Sequence, residues 1–244
     1  MQNYLLKIEY SGKHYSGWQI QPNVNTVQGE IEKVLKTILR SNLNIIGSGR
    51  TDAGVHALGQ VANFSTEESL ELYRFKHSLN SLLPSDISIT KISEVPLEFH
   101  SRFDAKKRSY LYVFTKDKSP FYNDFSYNYP PIFNFDISIL NKISSLLLGE
   151  HDFTSFSKKK TDTENMVCNI TLAKWRRVKN KIIFRIDGNR FLHGMVRTIV
   201  GTTLEIAERN LKCEEIVKII NQKSRESAGR SVVARGLFLL DVKY

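Results

Sequence analysis

The chain has 244 residues, 41% of them hydrophobic, and carries 35 lysines and arginines against 25 acids, a formal net charge of +10. That length and apolar content support one large domain or two ordinary ones around a proper core, which excludes a disordered chain. The basic excess points to a polyanionic partner, and Cys168 and Cys213 form no CxxC pair, so neither a disulfide framework nor a cysteine-based zinc site is indicated.

The opening MQNYLLKIEYSG starts as an alternating strand and lacks the basic and long apolar regions of a secretory signal. No run reaches bilayer length, so a soluble cytoplasmic protein without membrane contact is expected. Asn3 to Tyr10 reads as a strand, followed by the loop SGKHYSGWQIQPN, rich in glycine, aromatic and amide groups. Such a loop either binds planar groups or is pinned by a buried Trp18. From Thr26, apolar residues at Val27, Ile31, Val34, Leu35 and Ile38 predict a helix to Arg40. Strands follow at Leu43 to Ile46 and Gln60 to Phe64, then a helix from Leu70 to Leu83 that stops before Pro84, and a strand through Ile87, Ile89 and Ile92.

Lys106 to Phe114 opens a second series, with Tyr110 and Tyr112 on one face of a strand and Leu111 and Val113 on the other. Ile137 to Leu148 is a predicted helix closed by Gly149. Strands at Asn169 to Val178 and Ile182 to Ile186 meet at a hairpin, Lys179-Asn180-Lys181. Helices at Phe191 to Glu208 and Glu214 to Ile220 precede a final strand, Gly236 to Val242. Residues 1–104 and 105–244 therefore each read strand, helix, two strands, helix, strand, with one extra helix in the second: an α+β protein built from two split βαβ halves. Side by side, two such sheets would form one antiparallel surface crossed by a cleft.

Between the two strands of the first half lies GSGRTDAGVHALGQVANF, Gly47 to Phe64. Gly47, Gly49 and Gly54 permit positive φ or close approach of another group to the main chain. Asp52, two residues after Arg50, is either a carboxylate kept ionised for chemistry or a turn residue bonding its own backbone. The six histidines show no HExxH spacing or cluster, and His56 reads as a loop or core residue. No GxxxxGK[ST] or GxSxG occurs, and Asp52 stands where GxGxxG needs its third glycine, so P-loop, Rossmann and hydrolase-elbow chemistry are disfavoured.

Basic residues gather at Lys106-Lys107-Arg108, at Lys158-Lys159-Lys160, and at Arg176-Arg177 with Lys179 and Lys181. Each cluster alone reads as a solvated face, whereas together, with Tyr110, Tyr112, Phe153, Phe156 and Trp175 interleaved, they read as a surface for phosphates and unstacked bases. Arg197, set among apolar residues in FLHGMVRTIVG, is expected to point at an acid, with Asp52 the candidate and a structural ion pair elsewhere the alternative.

These segments resemble the tRNA pseudouridine synthase A family. GRTDAGVHA at 49–57 carries the likeness most specifically. SGWQIQPN with TVQGEIEKVL, then KRSYLYV, FLHGMVRTIVG and GLFLLDVKY follow in the family's order. The resemblance implies a pseudouridine synthase fold, two ferredoxin-like halves forming a mixed, mostly antiparallel sheet with helices and a central RNA-binding cleft. It implies a homodimer that isomerises uridine to pseudouridine in the anticodon stem-loop of tRNA, without cofactor or metal. It places the nucleophile at Asp52, the tyrosine that stacks on the target base at Tyr110, and basic residues around the nucleophile at Arg50 and Arg197. Two departures concern the pocket's shape: Gly194 stands where the family helix usually has histidine, with His193 one residue earlier, and SVVARGLF replaces a proline-containing approach to the last strand. Two other readings remain: a non-catalytic basic RNA-binding module, and a paralogue acting by the same chemistry on another structured RNA.

Overall fold

The computed structural model describes residues 1–158 and 164–244. It divides into two compact units, residues 1–106 with 239–244, and residues 107–238.

In the first unit, β1 (Gln2–Tyr10) turns Tyr4, Leu6 and Ile8 into the core with the period of two that a strand imposes. Helix α1 (Val27–Leu39) buries Val27, Ile31, Val34 and Leu35 along one stripe. It starts at Thr26, whose hydroxyl accepts the Gly29 N–H at 3.3 Å, and ends at Arg40 in the left-handed conformation. After β2 (Ile46–Gly47) and β3 (His56–Thr66) comes α2 (Leu72–Leu82), capped by the Glu71 carboxylate, which accepts the Tyr73 and Arg74 N–H groups. Leu83, extended ahead of Pro84, stops it. Strand β4 (Ile87–Val95) completes the set. β1 lies between β3 and β4 and is antiparallel to both, with β2 on the edge of β3 away from β1. The order 4-1-3-2 is that of a split βαβ unit.

Two expected boundaries differ. The strand foreseen at Leu43 to Ile46 is reduced to Ile46 and Gly47, because α1 captures the Ile45 main chain: Glu32 accepts its N–H at 2.9 Å and Gln28 donates to its carbonyl at 3.2 Å. β3 begins four residues before Gln60. It is buried on both faces almost throughout, so its first residues show no alternation.

The second unit runs β5 (Lys107–Thr115), β6 (Tyr127–Asn128), α3 (Ile137–Ser145), β7 (Gly149–Asp152), β8 (Val167–Val178), β9 (Lys181–Gly188), α4 (Met195–Glu208) and α5 (Glu215–Gln222). Its strand order is β5-β9-β8-β7, with antiparallel pairs throughout and β6 added parallel to the end of β5. Strand β10 (Leu237–Lys243) ends the chain, and from Leu239 it belongs to the first unit, beside β3. The fold is α+β, with mostly antiparallel pairing. α3 stops at Ser145, and Gly149, at φ 94, opens β7 instead of closing the helix. α4 starts at Met195, not Phe191, since Gly194 at φ 73 lies outside the helical range.

Tyr112, Phe153 and Phe156 are fully enclosed and Trp175 is 1% exposed, so four of the aromatics expected at a base-stacking surface form the core instead. Trp175 shows why: its ring lies 4.6 Å from that of Phe184, its indole N–H donates to Ser144 Oγ at 2.8 Å, and Asn141 bonds its backbone N–H and carbonyl. Cys168 is buried and Cys213 partly so. Among the described residues no helix is long and apolar enough to cross a membrane.

Across the β5–β9 rung, Asp187 is 4% exposed and bonded by Arg185 (2.9 and 3.0 Å), by Ser109 and by Lys107 at 3.3 Å. Burial pushes its carboxyl up, but the bonds from Arg185, Ser109 and Lys107 outweigh it and hold the group below the usual carboxylate range. A lowered folded pKa stabilises the fold above the unfolded value of about 3.9 and ceases to do so as pH falls through the folded one. Asp187→Asn is expected to lower stability by about 1–3 kcal/mol at neutral pH. In urea unfolding, the gap between the two proteins should shrink below about pH 4; a gap independent of pH would show that the charge of Asp187 contributes nothing.

Candidate active site

Asp52 opens a tight turn. Its carbonyl accepts the Val55 N–H at 3.1 Å, and Gly54 sits at φ 76, the left-handed conformation that a type II turn needs at its third residue. The Asp52 side chain is half-buried and Arg50 is exposed. The main chain on both sides of Asp52 is fixed by the loop between β1 and α1. Thr51 accepts the Trp18 N–H at 3.2 Å, and Gly54 donates to the Tyr15 carbonyl at 3.3 Å. The Thr51 hydroxyl meets Tyr10 Oη at 2.8 Å in a buried bond.

Glycine is required where the two loops touch. A Cβ on Gly17, which lies at φ 102, would stand 2.5 Å from the Thr51 carbonyl oxygen, and one on Gly12 would stand 2.1 Å from that of Val55. Trp18 is buried and its indole fills the space where Gly47 lacks a side chain. The loop is thus pinned by its tryptophan, and no planar-ligand role is needed to explain it. On the other arm, buried Gln60 accepts from Ser48 Oγ at 2.7 Å and donates to the Gly49 carbonyl at 3.0 Å. His56 is a core residue, 1% exposed, whose Nδ1 accepts the Gly12 N–H at 3.1 Å and is therefore unprotonated.

In the second unit, Tyr110 is 7% exposed, and its ring meets Phe191 edge-on with centroids 5.1 Å apart. Arg197, half-buried on α4, donates from Nε to the Val232 carbonyl at 2.7 Å and accepts the Val232 N–H at its own carbonyl. The next carbonyl, of Val233, accepts from Tyr112 Oη at 2.7 Å. Burial pushes the Tyr112 hydroxyl up, opposed by the nearby Arg197 charge, so it stays a neutral donor. Arg197 and Tyr112 together clasp Val232 and Val233 of SVVARGLF.

The basic clusters separate on inspection. Arg108 is buried, with Nη1 donating to the Asn189 carbonyl at 2.8 Å, and Lys107 is turned to Asp187. Lys106 is exposed, as is Lys158, whose N–H donates to the His193 carbonyl just ahead of α4. Lys159 and Lys160 lie outside the described residues.

Sequence reasoning passed over the bracing roles of Tyr10, Gly17 and Gln60. The glycine pair spaced around aromatics in SGKHYSGW was the available signal for the first two, and a glutamine inside an apolar strand for the third.

Comparison with known proteins decides the family. The model of the tRNA pseudouridine synthase family matches residues 7–104 and 143–244. The chain belongs to that family. Among its curated relatives are proteins named tRNA pseudouridine synthase A. That of Bacteroides thetaiotaomicron is 42% identical over all of this chain and 91% of its own length. That of Caldicellulosiruptor saccharolyticus is 41% identical over the whole of both chains. A solved structure, the crystal structure of a Cbf5-Nop10-Gar1 complex, is matched at 11% identity and a TM-score of 0.34 over 83% of this chain and 54% of that one, too remote a likeness to add to the assignment. Asp52, Arg50 and Arg197 fall within the stretches shared with the family model, and Tyr110 falls between them.

Gly17→Ala would drive the Thr51–Ala53 main chain outward. It is expected to lower turnover on tRNA by about tenfold or more, since displacements near 1 Å at a reacting group have such effects. RNA affinity should hold, and turnover equal to wild type would show that the loop contact does not set the position of Asp52.

Proposed function

We propose that Asp52 is the nucleophile in the isomerisation of uridine to pseudouridine in tRNA, at the anticodon stem-loop, as the family resemblance implies. Membership of the tRNA pseudouridine synthase family gives the reaction class: the chain is a tRNA-modifying isomerase. The observation that carries the assignment is the fixed turn at Asp52, half-exposed within GRTDAGVHA while its neighbours' main-chain groups are bonded on both sides.

The chemistry breaks the glycosidic bond of the uridine, turns the uracil, and joins its C5 to the ribose. A carboxylate supplies a covalent attachment during that exchange, whether at sugar or base, and the C5 proton must leave before the product forms. A uridine in a stem has to leave its stack to be reached, so a flat group must receive it. Tyr110, its ring oriented by Phe191, takes that role in this reading. Arg50 keeps Asp52 ionised and steadies the RNA backbone. Arg197, through its clasp on Val232, shapes the approach to β10 as well as adding positive charge.

Lys106 and Lys158, both exposed, carry the proposed phosphate contacts, with Lys159 and Lys160 beside them in sequence. A homodimer working in the cytoplasm completes the proposal, on the strength of the resemblance.

Asp52→Asn is expected to cut tritium release from 5-tritiated uridine in tRNA by at least about a thousandfold, with tRNA affinity retained. Substantial residual release would remove Asp52 from the role and return it to the status of a turn residue. Tyr110→Phe should bind tRNA normally and turn over more slowly, and a rate equal to wild type would confine Tyr110 to stacking. Replacing Lys106 and Lys158 by alanine should reduce the slope of log affinity against log salt by about 1 per lysine; an unchanged slope would exclude them from phosphate contact.

A further inference from the structure

The connection from β5 to β6 exposes three aromatic side chains, Phe121 at 83%, Tyr122 at 47% and Phe125 at 43%. It is a built loop. Tyr122 N–H donates to the Ser119 carbonyl at 3.2 Å, Phe125 N–H to that of Tyr122 at 3.0 Å, and Ser126 Oγ to the same Tyr122 carbonyl at 2.7 Å. Asn128 Nδ2 closes its base on the carbonyls of Thr115 and Lys116. The β8–β9 turn is tied alongside, where Lys116 N–H donates to the Asn180 carbonyl at 3.3 Å and Lys181 Nζ stands 4.0 Å from the Tyr122 ring centroid. The two connections thereby bring together Lys116, Lys118, Lys179 and Lys181, with Asp117 and Asp124 as the acids of the same loop.

Water-exposed rings held in place call for a partner with flat apolar faces, and the surplus lysines call for negative charge. Nucleic acid supplies both in alternation, a base to stack and a phosphate to neutralise. A second copy of the chain meeting through this patch would set four lysines against four, which opposes association. The aromatic part lies, like Tyr110, between the two stretches that match the family model.

We infer that Phe121 and Tyr122, with Lys116, Lys118, Lys179 and Lys181, form a second RNA-contact surface that stacks on an unpaired base of the tRNA substrate and neutralises its adjoining phosphates. The inference rests on the reading of the chain as a tRNA-modifying enzyme. Phe121 gives the open face, Lys181 backs the Tyr122 ring, and the lysines of the two turns provide the salt-sensitive part of the contact.

The test uses the full chain, an unmodified tRNA transcript, and two exposed double variants, Phe121→Ala with Tyr122→Ala, and Lys116→Gln with Lys118→Gln. Affinity across a salt series, tritium release and mass in solution by light scattering are measured for each. The aromatic variant should bind tRNA about tenfold more weakly, as expected for loss of base stacking, with the salt slope, the mass and the turnover at saturating tRNA unchanged. The lysine variant should lower the slope by up to about 2. Unchanged affinity in both variants overturns the surface, and a fall in solution mass overturns it in favour of an interface between copies. Failure of the isomerase reading would show separately, as absence of tritium release by the wild type.

Discussion

The first unit of the fold depends on one contact, main chain against main chain, between the Gly12–Trp18 loop and the Thr51–Val55 turn. Two backbones approach this closely only where no side chain intervenes, and Gly12 and Gly17 provide that absence. Hydrogen bonds from Trp18 and Gly54 then fix the distance, and the buried Tyr10–Thr51 bond ties the turn to β1 itself. The position of Asp52 is therefore set by the central strand of its sheet and by the start of α1, not by the turn's own preferences. A residue that must meet a reacting atom gains from such remote fixation, because turns alone are the softest part of a chain.

The second unit solves a similar problem in the same way. Residues 228–233 cross α4 so closely that a Cβ on Gly201 would stand 1.8 Å from the Arg230 carbonyl. Thr202 accepts the Gly229 N–H at 3.0 Å, Arg197 bonds Val232 from side chain and main chain, and Tyr112 bonds Val233. An arginine among apolar residues need not be answered only by a carboxylate, since backbone carbonyls can accept its N–H groups without the desolvation of a second charge. Bonds from α4 and β5 thereby hold the segment ahead of β10.

Much of this was legible in sequence where one period dominated. The stripe Val27, Ile31, Val34, Leu35 gave α1 nearly to the residue, and Thr26 marked its start, because helix faces and caps are local signals. β3 reads shorter from sequence since a strand buried on both faces loses its alternation, and Leu43–Ile45 read as strand because their competitor, the side chains of Gln28 and Glu32, lies 17 and 13 residues back in the chain from Ile45. Among the aromatics, composition could not separate Trp175 and Phe156, which fill the core, from Phe121, which does not. The motif GRTDAGVHA exposed the loop that matters, while Gln60 and Gly17, which hold it, are visible only through the contacts they make.

Two aspartates in the chain show what distinguishes a structural carboxylate from the one proposed to react. Asp187 is enclosed, and both of its oxygens are occupied by Arg185, with Ser109 and Lys107 completing the shell. Such a group stabilises a fold and has no lone pair left to offer a substrate. At Asp52 the main chain is held through the Thr51 and Asp52 carbonyls and the Gly54 N–H, and the side chain is half-buried. A carboxylate that forms and then releases a covalent bond needs a fixed origin, and a glycine-bordered turn braced from behind provides one.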